Sequence, residues 1–507
     1  MSGGSTSFGG SSDEATLVQR LLVIVGVVAV GMFLGVQSAR GYVLPVAIVV
    51  AFGMMFLLFA RPMWFLALGL FVFYGAFELV DMERFGRVAG LFRLKDVFLI
   101  MMVGYMVTTG ILRGEAKRTA LRQSKAFRAW AVFMLWILYV YVYTVFYLGE
   151  DKMLAFRVGR TYLSYGWPFL LLWWVRDQKD WDRFLRILYV LGFVAIGVAL
   201  MGSLGLRVSL YAPDLPAGIG TAESLGLYRA GHEGQSLVYS LFMLSFWRFI
   251  FKNTRRNAWL AFIFAFGSSL FLFRTRLAGT VFGIVVASLF VGWRYRLRAL
   301  STGVIGLLLM VGAMIVFGLF AKTVVRVDDA SYLGRVVEFF QRGAEAVAGE
   351  GIDAGRRYNI DIRWPLVREH PLIGIGFISP FGSIAWGIYA AGGMPIGVVD
   401  VGWIDILVRL GFVGCGLLGT LLLMAARDAV DVLRRFPLSA EEKALCLTLI
   451  GYTTLMVVSV YSFSYPTLES SIITFAILFA FIVRIRIVRA PRQAMAIPPK
   501  MSAEPVA

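Results

Sequence analysis

The 507-residue chain has two cysteines, Cys415 and Cys446, and two histidines, His232 and His370. Two cysteines inside apolar runs indicate neither a disulfide framework nor a Cys-ligated metal. Charged residues make up only 16% of the chain, against roughly 25% in soluble domains, which excludes an ordinary cytosolic enzyme and a disordered protein. There is no G-x-x-x-x-G-K-[ST] phosphate loop and no H-E-x-x-H, so no signature of a nucleotide-driven pump or a zinc hydrolase appears. No repeat with a period of 20–50 residues is visible.

Apolar residues are abundant instead. They form 59% of the chain, and mean hydropathy is +0.77. A membrane span needs roughly 20 apolar residues. The unbroken runs are too long for the alternating segments of a β-barrel. The sequence therefore predicts an all-α polytopic membrane protein of about fourteen spans. The apolar segments lie near 20–37, 42–60, 62–80, 97–112, 129–148, 161–175, 187–206, 236–251, 258–273, 277–293, 299–320, 403–425, 444–463 and 471–488. The expected organisation is a tail at 1–19, an N-terminal bundle of about eleven helices at 20–320, a large loop at 321–402, C-terminal spans at 403–488 and a second tail at 489–507. The Gly/Ser-rich tail lacks the basic region and cleavage site of a signal peptide.

Charge orients the chain. Net charge is +18, and lysine and arginine concentrate at 113–128, 252–257, 294–298, 426–443 and 484–492. Every second loop is basic. The positive-inside rule then places these loops and both termini in the cytoplasm, and puts 321–402 on the opposite face. The excess of basic residues is read as topology, not nucleic-acid binding, and no nucleic-acid partner is expected.

Arginine on the outer face runs against that rule. Arg157, Arg160, Arg207, Arg229, Arg274, Arg276, Arg356, Arg357, Arg363 and Arg368 fall there. A guanidinium forks onto phosphate oxygens and stays charged, so the set points to a lipid-linked phosphate or pyrophosphate. The alternative for each is snorkelling to headgroups or pairing with acids such as Glu150 or Asp151. Arg274-Thr275-Arg276 is the sharpest element, because it sits in a very short break between two apolar runs. His232 and His370 lie in outer loops without metal-ligand spacing, each open to a cap or loop hydrogen bond. Asp400 stands at the mouth of the span beginning near Trp403, where a carboxylate can act as general base. Asp405 and Arg409 follow one and two turns on, and their i, i+4 spacing allows a mutual salt bridge.

A resemblance follows from these residues. Arg363-Trp364-Pro365-Leu366-Val367-Arg368-Glu369-His370-Pro371-Leu372-Ile373-Gly374-Ile375-Gly376 resembles the W-x5-H-P-hydrophobic-x-G-x-G signature of the O-antigen ligase and polymerase superfamily. In that family the signature also lies in a long periplasmic loop near the C-terminus. Phe273-Arg274-Thr275-Arg276-Leu277-Ala278-Gly279 is similar to the family's Ser-Arg-Gly/Ala break, and Tyr228-Arg229-Ala230-Gly231 to its Arg-x-x-Gly loop. Asp400-Val401-Gly402-Trp403-Ile404 stands where the family has His-Asn-x-x-Leu, and Gly411-Phe412-Val413-Gly414 matches the Gly-hydrophobic-hydrophobic-Gly turn that ends the following span.

The resemblance implies a GT-C-like architecture with one large, partly helical periplasmic loop in a bacterial inner membrane. It implies a metal-independent, inverting glycosyltransferase without cofactors, acting on undecaprenyl-pyrophosphate-linked glycans as donor and acceptor, with membrane lipids and a chain-length regulator as partners. Arg229 and Arg276, with Arg274, take the pyrophosphate. Arg157, Arg160, Arg356, Arg357, Arg363 and His232 are further substrate candidates, and Asp400 or His370 assists the acceptor. Asp400 in place of the ligases' histidine favours a Wzy-type polysaccharide polymerase making O-antigen or exopolysaccharide. The competing readings are an O-antigen ligase and, from another class, a lipid-linked oligosaccharide flippase, which the single large outer loop and scarcity of buried charge disfavour.

Overall fold

A computed structural model of the chain describes residues 53, 56–57, 60–78, 87–88, 92–93, 95–102, 124–175, 178–203, 233–271, 274–325, 354–380, 382–385, 402–460 and 468–496. Contacts divide the chain into Met1–Leu68 and Gly69–Ala507. Of the first unit only the residues up to Leu68 within that set are described, and they carry the start of helix α1, Pro62–Phe73.

Among its described residues, the regular structure of the second unit is helical apart from one antiparallel pair, β1 Arg87–Val88 and β2 Phe92–Arg93. Residues 95–102 are helical. Then come α2 Lys125–Val142, continued by a π-turn at Tyr143–Tyr147, α3 Lys152–Leu163, α4 Trp167–Trp174 and α5 Gln178–Ser203. They are followed by α6 Gln235–Lys252, α7 Arg255–Leu270, α8 Arg274–Ser288 and α9 Trp293–Val325. The last four are α10 Ala354–Glu369, α11 Gly402–Arg435, α12 Ala440–Ser459 and α13 Glu469–Ala496.

Local chemistry sets these boundaries. Ser124, Asp151 and Thr254 cap α2, α3 and α7 by accepting first-turn N–H groups. Ser439 and Glu442 form a reciprocal capping box at α12. Asn253, at φ 45°, ends α6 in the left-handed conformation asparagine tolerates.

Among the described residues, five helices are long and apolar enough to cross a membrane: Lys125–Tyr147, Gln178–Met201, Gly402–Arg435, Ala440–Ser459 and Glu469–Arg489. This is an all-helical architecture with membrane-spanning helices. The expected spans at 20–37 and most of 42–60 lie outside the described residues. The 161–175 segment is not one helix: it breaks at a 3-10 turn, Ser164–Gly166, between α3 and α4.

The bundle is knit by close helix contacts and internal hydrogen bonds, as expected where lipid offers no solvent contrast between apolar faces. α8 packs along α12, with Gly279 against Leu455 and Gly283 on the backbone of Gly451. Tyr74 and Thr474 hydroxyls pair at 2.8 Å, Ser236 and Ser471 at 3.0 Å, and the Tyr452 hydroxyl donates to the Ser471 carbonyl at 3.2 Å. A side chain at 283 would meet the Gly451 carbonyl with no room to retreat. We expect Gly283→Leu to part α8 from α12, costing about 1–3 kcal/mol or more. Thermal unfolding in detergent should show it as a lower midpoint, and an unchanged midpoint would refute this packing.

Cross-helix ion pairs collect at two ends. At one, Lys95 bonds Glu233 and Glu469 at 3.0 Å each, and Arg160 bonds Asp96 at 2.6 Å. At the other, Arg486 and Ser124 meet Asp428, Arg489 meets Glu442, and Arg248 meets Glu441. Lys252, Arg255, Arg256, Arg294, Arg296, Arg298, Arg434 and Arg435 stand at helix termini that fall at this second end. The described residues of the basic loops thus share one end of the bundle. His370, the start of α11 and the start of α8 belong to the other, here termed the Glu469 end.

Candidate functional site

The Glu469 end is organised around a break in α11. Gly411 takes φ 67° and ψ −175°, which interrupts the helical hydrogen bonding. The segment after α10 fills the gap. The Ile375 N–H donates to the Val408 carbonyl at 2.7 Å, Phe412 N–H to the Pro371 carbonyl at 2.8 Å, and Val413 N–H to the Leu372 carbonyl at 3.3 Å. Trp136 of α2 donates its indole N–H to the Leu410 carbonyl at 3.3 Å. Backbone groups orphaned by the break are thereby paired, as buried backbone must be. Gly374, at φ 75°, faces the backbone of Val408–Gly411, and Gly411 faces that of Leu372 and Ile373. No side chain fits at either contact, so the two glycines interlock the loop with the helix.

The loop then runs onto α2 and α3. The Phe377 N–H donates to Thr144 Oγ1 at 2.9 Å, and the Phe377 ring stacks on Tyr162 at 5.5 Å over Gly159. Beneath it, Val367, Ile375, Ile378, Ala385, Ile404, Leu407 and Val408 form a small core, with Trp364 and Trp403 edge-to-face beside it. This corrects the expected end-turn at Gly411–Gly414: the span does not end there but breaks, and continues to Arg435.

His370 follows the last residue of α10. Its N–H donates to the Leu366 carbonyl, its carbonyl accepts from Gly374 N–H at 2.9 Å, and it is half-buried. Arg363, one side of α10, is only 7% exposed. Burial pulls its pKa down; Asp405 opposes this and Arg409 reinforces it, so the three residues share one neighbourhood. Asp405 accepts from Arg409 Nε at 2.9 Å, which realises the salt bridge the sequence allowed. Tyr162 lies within electrostatic reach of both.

Arg276 is 4% exposed and stands in the first turn of α8. This differs from the sequence expectation of a turn: α7 ends at Leu270, and Arg274 and Arg276 already belong to α8. A cation here faces the positive end of the helix dipole, where an anion is the favoured neighbour. Arg274, Arg356 and Arg357 stand in the first turns of α8 and α10, and their side chains lie outside the described residues. Arg160 is committed to Asp96, as a structural arginine would be, and Arg157 is half-buried on the same helix. Arg229, His232 and Asp400 lie outside the described residues.

Sequence reasoning missed the Lys95–Glu233–Glu469 triad. Burial works against the lysine's charge, but Glu469 and Glu233 outweigh it and hold Lys95 above its ordinary range. Three residues from three distant segments carry no local spacing signal. Among the described residues, no group of three or more His, Cys, Asp or Glu could hold a metal ion. No protein-family model and no curated protein matches the chain.

Proposed function

We propose that the chain is a membrane glycosyltransferase of the O-antigen polymerase type, joining undecaprenyl-pyrophosphate-linked repeat units at the periplasmic face of a bacterial inner membrane. The observation that carries this reading is the interlock of the His370 loop with α11 at Gly374 and Gly411. It gives the two glycine motifs of the resemblance one structural purpose, at the end of the bundle that holds buried Arg276 and Arg363. The basic loops gather at the opposite end, which supports placing the Glu469 end outside.

In this reading the donor sugar is already activated. An acceptor hydroxyl loses its proton to a base, its oxygen bonds the anomeric carbon, and the bond to the pyrophosphate breaks with its electron pair leaving on the lipid pyrophosphate. Arg276, Arg229 and Arg274 stabilise that departing charge electrostatically. Attack opposite the leaving group inverts the anomeric centre. Asp400 is our first candidate for the base and His370 the second.

The hydrogen-bonded turn around His370 fits a loop-holding role, so the account expects His370→Ala to retain more activity than Asp400→Asn. Loss of general-base assistance typically removes about 10²–10⁴-fold of rate. Polymer synthesis in membranes matched for protein level checks this, and wild-type chain formation by Asp400→Asn would end the assignment.

Deleting the gene tests the function itself. A polymerase leaves single repeat units on the lipid carrier. A ligase, the second reading, leaves full-length polymer on the carrier. A flippase leaves single units on the cytoplasmic side.

A further inference from the structure

Glu150 stands just beyond the π-turn of α2, after Gly149, and is 3% exposed. Neither carboxyl oxygen has an aligned hydrogen-bond partner. Its oxygens occupy the space into which a side chain at Gly382 would project, so the chain after the His370 loop lies directly on the carboxyl. Five residues earlier in the loop, Phe377 is hydrogen-bonded to Thr144, and the Glu150 N–H donates to the Thr144 carbonyl at 3.2 Å. The loop is thus seated on α2 at two points, the Thr144 hydroxyl and the Glu150 carboxyl.

Asp96, Asp405, Asp428, Glu233, Glu441, Glu442 and Glu469 each pair with a cation. Among the described residues Glu150 pairs with none, although the sequence marks it as a partner for the outer arginines. Among the described residues, the ionisable group whose field acts on it is Asp151, of like sign. Among the described residues, the elements packed against it contribute Thr144, Ser379 and Gly382, none of which titrates in the ordinary range. Burying an ionised carboxylate without a partner costs far more than burying the neutral acid.

We propose that Glu150 is a protonation latch: the neutral carboxyl lets residues 376–380 and Gly382 seat on α2, and ionisation lifts them off. The step is the loss of one proton from Glu150 to solvent, with no other group changed. This role does not rest on the glycosyltransferase reading, since it concerns only loop seating.

The sign follows from burial. Desolvation raises the Glu150 pKa above the ordinary carboxylate value, against the pull of the Asp151 and Ser379 N–H groups and with the help of Asp151's charge. A raised acid pKa means that the seated form holds its proton more tightly than the released form. Seating is therefore full below the ordinary carboxylate range and is lost as pH rises through the seated-state value.

Amide exchange of the 371–380 peptide, measured on the full-length protein in lipid nanodiscs and corrected for intrinsic pH dependence, tests this. Between about pH 4 and 8, wild type is expected to gain exchange by up to about tenfold per pH unit once Glu150 ionises. Glu150→Gln, and Glu150→Leu as a second neutral variant, are expected to stay protected throughout. Superimposed wild-type and Glu150→Gln profiles would overturn the proposal, leaving the residue a mere filler.

Discussion

Arg276→Ala is expected to abolish polymer formation while the protein still inserts and folds. The side chain is buried in the first turn of α8, at the helix end that favours an anion. A charge-assisted bond contributes about 1.5–3 kcal/mol. A two-point grip on phosphate therefore removes about 10²–10⁴-fold of rate when lost, at tenfold per 1.36 kcal/mol. Arg229→Ala is expected to behave alike if both residues hold the same pyrophosphate. Lysine at 276 keeps the charge but not the planar fork, and should restore little. Chain formation in membranes from a strain lacking the native gene is the readout. Full activity in Arg276→Ala would mean that the arginine only packs α8 against its neighbours.

Gly411→Val is expected to disable the protein by another route. Its side chain would collide with the Leu372 and Ile373 backbone, and a branched residue resists the left-handed conformation that the break requires. The strain costs about 1–3 kcal/mol, and overpacking adds about 1–3 kcal/mol more. The cheapest relief is to release the loop, breaking the bonds from Ile375 to Val408 and from Phe412 to Pro371. Protease cleavage within 371–380 should rise sharply while α11 stays protected, and activity should fall with it. A Gly411→Val protein whose loop resists protease like wild type would show that the interlock does not hold it.

These two residues also mark how far the sequence could be read. The long apolar runs announce their helices, because membrane spans carry the strongest periodic and compositional signal. The Asp405–Arg409 pair is legible because its partners are four residues apart on one helix. The break at Gly411 is not, because its cause lies some 40 residues upstream: the loop supplies the hydrogen bonds that make a broken helix tolerable. A glycine-bounded pair of apolar residues is equally compatible with a helix end. Arg160 and Glu150 exchange their expected parts for a similar reason. Arg160 finds Asp96 across 64 residues of chain, while Glu150 finds Gly382 instead of an arginine. Long-range polar pairing of this kind leaves no spacing pattern to detect. The candidate site is thus legible in its residue types and in the positions of its motifs, and illegible in which arginines are already committed to partners.

Reconstitution tests the central claim most directly. The purified protein in liposomes, supplied with a single undecaprenyl-pyrophosphate-linked repeat unit and no other protein or nucleotide, is expected to produce a ladder of lipid-linked oligomers, each one repeat longer than the last. Arg276→Ala liposomes should leave the substrate as single units. A wild-type protein that carries the lipid-linked unit across the bilayer unchanged, or leaves it untouched beside a competent acceptor, would contradict the account.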